Sequence, residues 1–296
     1  MCLIAFALHA SSRWPLVIAA NRDEFLDRPT LPLARWKTPA GQSIVSGRDL
    51  RAGGAWFGVT PGGRIAFLTN VREADALPAP RSRGELVTRW LESPNGAEDF
   101  LAGLAADPMT FAGFNLVFGD LSRNQWHWVT NRASAPHQAN ALHHEALKPG
   151  VYGLSNAALD SPWPKTTRLK SVLGQSLRAH EAGGDVHALQ ADLWQALGSR
   201  ERAEAAQLPH TGIPLAREEA LSSAFVEMPD HGYGTRSSTL LTASAGPGGW
   251  EVQMEEREHL RAAGQPPNQD WQARKESLRW NASCGWPFAS PTFTAA

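Results

Sequence analysis

The sequence predicts an α+β layered fold in a single domain, and three observations predict it. Its apolar segments are short and arrive in pairs around turn residues, the pattern of antiparallel hairpins rather than of βαβ units. Two pairs of segments with helical apolar spacing separate the groups of strands. The composition, 42% hydrophobic and 19% charged over 296 residues, is that of a globular chain, with no repeat, long linker or compositional break. Helices are expected on the outer faces of antiparallel sheets. The domain is expected over residues 1–265, followed by an irregular tail over 266–296 rich in Pro, Trp and Ser.

Cys2–Leu8 is a near-continuous apolar run and reads as a strand buried on both faces. Ser11, Ser12 and Pro15 supply a turn, and residues 16–20 read as its hairpin partner. Asn21, Arg22, Asp23 and Glu24 follow, four polar residues at the end of a buried strand. From there to about residue 53, with Pro29, Pro32 and Pro39, the chain reads as an irregular pocket-lining loop. Residues 55–59 and 64–69 flank Thr60-Pro61-Gly62-Gly63 as a second hairpin. Helical spacing covers 82–91 and 97–106, and a hairpin is expected from 114–118 and 125–129. A short strand at 151–154 ends at Ser155-Asn156. Two helices over 163–182 and 186–198 break at Gly183-Gly184, and a last hairpin joins 238–244 to 250–256.

Several function classes lose support at once. The 28 basic and 29 acidic residues leave a net charge of −1, so nothing draws the chain as a whole to nucleic acid or anionic lipid. No apolar run reaches the ~18 residues of a membrane span. No Gly-rich dinucleotide or P-loop motif, no G-x-S-x-G elbow and no H-E-x-x-H is present. His143, His144 and Glu145 cluster, but neighbours on a strand point to opposite faces and make a poor chelate. The two cysteines, Cys2 and Cys284, fit a reducing, cytoplasmic setting, and no secretory signal or myristoylation site is expected at the N-terminus.

Chemistry concentrates at strand ends. The small side chain at position 2 favours removal of Met1, which would give Cys2 a free α-amine beside its own thiol. An α-amine of ordinary pKa near 7.7–8.0 is partly a neutral base at pH 7, so nucleophile and base would reside in one residue. Acyl transfer from a thiol also needs a nearby cation and oxyanion donors. Arg22 and Asp23 end the strand that pairs with the Cys2 strand, Asn70 and Asn156 end two others, and Arg236 stands just before another. Taken singly, strand-end Asn residues also favour turns, Arg–Asp pairs also form structural bridges, and a lone Cys is commonly core.

The tetrapeptide Asn21-Arg22-Asp23-Glu24 resembles the signature of the NRDE family, also called the transport and Golgi organisation protein 2 family. Six further segments resemble that family in order over roughly residues 1–258: Gly53-Gly54-Ala55-Trp56-Phe57-Gly58-Val59, Leu68-Thr69-Asn70-Val71-Arg72, Ser82-Arg83-Gly84, Phe114-Asn115-Leu116-Val117, Gly153-Leu154-Ser155-Asn156 with Trp163-Pro164-Lys165, and Tyr233-Gly234-Thr235-Arg236-Ser237-Ser238-Thr239. Met1-Cys2 matches the family's start. The resemblance implies an N-terminal nucleophile hydrolase-like fold, a four-layer α/β/β/α sandwich of two antiparallel sheets between helical layers. The cysteine branch of that superfamily uses an N-terminal Cys, an Arg/Asp pair, two strand-end Asn residues and a later Arg. Cys2, Asn70, Asn156 and Arg236 match that order. The Arg–Asp spacing is shorter here, which brings Asn21 into the set beside Arg22 and Asp23.

Two functions are compatible with this reading. One is a cofactor-free hydrolase of non-peptide C–N amide bonds in a small, partly apolar substrate. The other is a non-enzymatic carrier of haem or another hydrophobic ligand, since members of the family have been proposed to move haem and the chain holds 12 Trp and 10 His residues. The hydrolase is favoured, because the strand-end Asn residues and Arg236 have a defined task in catalysis and none in haem transport.

Overall fold

The structure, a computed structural model, describes residues 2–74, 79–132, 142–246, 249–259 and 272–281. Its first half contains strands β1 (Cys2–Leu8), β2 (Leu16–Phe25), β3 (Thr30–Lys37), β4 (Ser43–Asp49), β5 (Phe57–Val59) and β6 (Arg64–Asn70), then helices α1 (Gly84–Glu92) and α2 (Ala97–Ala105). Strands β7 (Phe114–Asp120), β8 (Gln125–Thr130), β9 (His143–Ala146) and β10 (Gly150–Leu154) follow. Helices α3 (Pro164–His180), α4 (Val186–Leu197) and α5 (Leu215–Ala220) precede β11 (Glu227–Met228), β12 (Tyr233–Gly246), β13 (Gly249–Glu258) and β14 (Gln272–Asn281).

The strands form two seven-stranded sheets, antiparallel throughout. One runs β10-β1-β2-β12-β13-β14, with β11 also pairing β12; the other runs from β3 to β9 in chain order. Alternation along β1 shows how the layers arise. Ile4, Phe6 and Leu8 face the second sheet and meet Phe57, Phe67 and Val117. Leu3, Ala5 and Ala7 face outward against Leu169, Leu173 and Leu193 of α3 and α4. A strand buried on both faces has no polar alternation, which is why this segment reads as a continuous apolar run. On the other side, Ala66, Leu116 and Phe118 receive Leu86, Trp90 and Phe100 of α1 and α2. Helix, sheet, sheet and helix stack in four layers, the α/β/β/α class the resemblance implies.

Two segments differ from expectation. The stretch expected as an irregular loop up to residue 53 extends β2 through Phe25 and contains β3 and β4. Its prolines misled because β3 is a sheet edge, where a missing N–H costs no ladder bond. Pro32 falls inside the register shift between Leu31 and Ala34, and Pro39 falls in the turn before β4. The tail is not irregular throughout, since Gln272–Asn281 forms β14 along the whole of β13. As an edge strand carrying Arg274, Lys275 and Glu276 it lacks the apolar alternation that announces a strand, and edge charges discourage further pairing. Two polar contacts join the edge strand β3 to the other sheet: the Leu33 N–H donates to Glu256 Oε1 of β13 at 2.7 Å, and Arg35 Nε donates to Glu276 Oε2 of the edge strand β14 at 2.8 Å. Cys284 lies outside the described residues.

Candidate active site

Strand register brings the sequence motifs to one end of the sandwich. In the β1–β2 ladder Cys2 stands opposite Arg22, so the two side chains share the inner face. On its other side β2 pairs with β12, with Asn21 opposite Ser238, Arg22 opposite Ser237 and Asp23 opposite Thr235. The Asn-Arg-Asp-Glu and Tyr-Gly-Thr-Arg-Ser-Ser segments are therefore cross-strand partners. Arg236 is the extra residue of a bulge between Thr235 and Ser237, which re-aims its side chain. Asn70 ends β6, and β10 delivers Ser155 and Asn156 beside β1.

Cys2, Arg22, Asp23 and Asn70 line a common cavity of about 390 Å³, together with Trp56 and Arg83. Cys2 is buried, and burial pushes its thiol above the ordinary range; the Asp23 charge raises it further, while Arg22 and a backbone hydrogen bond from Asp23 lower it. Burial thus disfavours the thiolate. Asp23 is buried as well, and burial raises its carboxyl. Its Oδ1 accepts from Thr235 Oγ1 at 2.7 Å and its carbonyl accepts from Tyr233 Oη at 3.0 Å.

Ser155 Oγ donates to the Cys2 carbonyl at 3.0 Å, and Asn156 Nδ2 donates to the Asn70 carbonyl at 2.8 Å. The Arg72 N–H in turn donates to the Asn156 carbonyl at 2.8 Å. These bonds tie the ends of β1, β6 and β10 together across the two sheets. Asn156 reaches the cavity through Asn70, and its side chain is not part of the lining.

Asn21 and Arg236 stand away from the cavity lining. Asn21, one residue out of phase with Cys2 and Arg22, faces the helical layer. Its Nδ2 donates to the carbonyls of Leu197 and Ala224 at 2.9 and 2.8 Å, and its Oδ1 accepts from Ser238 Oγ at 2.6 Å. Its side chain anchors α4 and the segment after α5 to the sheet. Arg236 Nη1 donates to the Leu26 carbonyl at 2.7 Å and steadies the chain leaving β2.

Sequence reasoning from chemistry alone did not single out Lys165, Arg72 or Arg83. The Lys165 Nζ is buried with no hydrogen-bond acceptor among the described residues. Burial lowers the ammonium to about 8, against the attraction of Asp23. Arg72 forms a buried ion pair with Glu218 of α5 and lies 4.6 Å from the Trp163 ring centre. Arg83 directly precedes α1. The pair Gly53-Gly54 explains how that turn reaches the cavity: Gly53 has φ +74°, and a Cβ on Gly54 would come within 2.5 Å of the Gly84 carbonyl carbon. Each of these three cations lies inside a segment shared with the family, and that membership was the available signal.

The Lys165 shift has a measurable consequence. Its folded pKa lies below the ordinary 10.5, so between about pH 8 and 10.5 the unfolded chain holds a proton that the native lysine has lost. Stability contributed at this residue therefore rises with pH across that window, as the cost of burying the ammonium disappears. Urea unfolding of the wild type and of Lys165→Met should show the wild type gaining on the variant from pH 8 to 10.5. A constant difference across that range would contradict an ammonium buried there.

The paired histidines on the opposite sheet form no chelate with each other. His144 Nε2 sits 2.9 Å from His127 Nδ1, whereas His143 packs against Trp128. Among the described residues no helix is long and apolar enough to cross a membrane.

Residues 1–260 match the model of the family described as Transport and Golgi organisation 2. A Transport and Golgi organization protein 2 homolog from Bos taurus is 32% identical over 261 residues, covering 83% of this chain and 89% of the relative. The Drosophila melanogaster protein of that name is 26% identical over 259 residues, covering 81% and 87%. Among solved structures, a mutant of the conjugated bile acid hydrolase from Clostridium perfringens superposes with a TM-score of 0.51 at 9% identity, covering 95% of this chain and 97% of that one. The superposition is a likeness of fold. The family match spans every segment that builds the cavity, and the chain belongs to the Transport and Golgi organisation 2 family.

Proposed function

We propose that the chain hydrolyses a non-peptide C–N amide bond in a small, partly apolar substrate, with Cys2 as the nucleophile once Met1 is removed. One observation carries the reading. A buried cysteine at the chain's start shares a cavity with a cation opposite it in the ladder, a backbone N–H directed at its sulfur and a strand-end carboxamide.

The steps follow from those groups. The α-amine of Cys2 takes the thiol proton as sulfur attacks the amide carbonyl, and a C–S bond forms. Arg22 stabilises the developing thiolate, Asp23 orients the amine, and Asn70 supports the oxyanion, held in place by the bond from Asn156 to its carbonyl. The ammonium returns the proton to the departing nitrogen as the C–N bond breaks, releasing an amine and leaving a thioester. Water, deprotonated by the same amine, cleaves the thioester to a carboxylic acid and restores the thiol. The amine acts as the base, so turnover should rise with pH as it loses its proton. A reactive free thiol also suits a reducing compartment such as the cytoplasm.

Asn70→Ala should lower kcat by about 10²–10³, the usual effect of losing one oxyanion donor, in steady-state assays of acyl amides. Unchanged kcat would remove Asn70 from the mechanism. The carrier reading has less support, because among the described residues no histidine stands in the cavity wall. A haem titration that gives a saturable Soret shift, lost on changing a single His, would favour the carrier instead.

A further inference from the structure

The charges around the cavity are unevenly matched. Arg28 donates to Asp49 at 2.6 Å, and Arg81 pairs with Glu85 along the α1 entrance. Arg22 has a single described carboxylate, Glu24, at 3.6 Å, and Glu24 is shared with Arg28 at 3.7 Å. Arg22 is 6% exposed, and its Nη1 is buried with no hydrogen-bond partner among the described residues. A buried guanidinium N–H left unmet is destabilising and calls for an explanation, of which a bound anion is one. Arg83 donates to the Gly113 carbonyl at 3.2 Å, and among the described residues no carboxylate lies within ion-pair distance of it. It is nonetheless within electrostatic reach of Cys2. Asp23 is the remaining carboxylate of the wall, so what stands open there is not net charge but hydrogen-bonding capacity, and it falls on two guanidiniums, Arg22 and Arg83, in the cavity that holds the nucleophile.

We infer that the substrate is an amide that carries a carboxylate, held by Arg83 at the α1 entrance with Arg22 completing the match beside Cys2. This deepens the hydrolase reading and rests on it for the location of the scissile bond. Guanidinium and carboxylate match as planar, two-point partners, and a hydrogen bond to a charged group is worth more than a neutral one. A cavity of about 390 Å³ suits a ligand at the small end of the usual range.

Calorimetric titration of the full-length Cys2→Ala protein separates binding from turnover. Two matched pairs place the anion on either half of the amide: hexanoylglycine against hexanoylethanolamine, and adipic acid monoamide against hexanamide. At least one acid should bind at least tenfold more tightly than its neutral partner. That preference should shrink in high salt, nearly vanish with the added change Arg83→Gln, and persist in part with Arg83→Lys, whose melting curve also checks folding. Equal affinities in both pairs, or a preference untouched by Arg83→Gln in a folded protein, would overturn the proposal. Wild-type protein that prefers the acids but hydrolyses no amide would leave the anion site standing and remove the cysteine mechanism. Hydrolysis of acid and neutral amides with equal KM would do the reverse.

Discussion

Replacing Cys2 by alanine should lower kcat toward acyl amides by on the order of 10⁶, the scale set when a nucleophile acting in concert with its base is removed. The loss should appear in turnover and hardly in folding. The side chain is small, and the change removes one buried sulfur at a cost of about 1 kcal/mol. The backbone bond from Ser155 Oγ to the Cys2 carbonyl is retained in alanine. Ligand affinity should survive as well, because Arg22, Arg83 and Asn70 keep their places. If Cys2→Ala turns amides over at the wild-type rate, the cavity works without its cysteine and the hydrolase reading fails. If it melts far below the wild type, Cys2 belongs to the core that its burial also allows.

The largest loss of stability should follow Glu218→Ala. Glu218 pairs with Arg72 in a setting where both side chains are under 5% exposed, and Oε1 of the same carboxylate accepts the Thr211 N–H at 3.1 Å. Removing the carboxylate leaves a guanidinium buried beside Trp163, and breaking such a pair from one side costs about 3–5 kcal/mol. For a chain of this size that is roughly a 10 °C fall in melting temperature. The double change Arg72→Met with Glu218→Leu should recover most of it, because neither charge is then stranded. Calorimetric melting decides the matter: a double variant as unstable as Glu218→Ala would show that the α5 contact matters for its shape and not for its charge.

Much of this architecture was legible because burial writes itself into apolar runs. β1, β7, α3 and α4 lie within a few residues of their expected positions, since each buries one or both faces in a core. What escaped was the periphery. β3 and β14 are edge strands, half polar, and prolines or charges stand where alternation would announce a strand. The site divides in the same way. Arg22 and Asp23 could be placed beside Cys2 because hairpin register follows from turn position, whereas Asn70, on the other sheet, joined them only through the family resemblance. The direction of a side chain could not be read so easily. One residue of phase turns Asn21 toward α4, and one bulge turns Arg236 toward Leu26. Arg83 enters the cavity wall, and Lys165 and Arg72 come within electrostatic reach of Asp23, from segments far apart in the chain, and no local spacing reports such a meeting.

The central claim is that Cys2 carries a free amine and forms a covalent acyl intermediate. Intact-protein mass spectrometry tests both parts in one experiment, on purified protein before and after exposure to a β-lactone or activated amide probe. The account predicts a starting mass lacking Met1, a gain of one acyl group, and fragmentation that locates the adduct on Cys2 and not on Cys284. A chain that retains Met1, or that takes up no acyl group at Cys2, would contradict it.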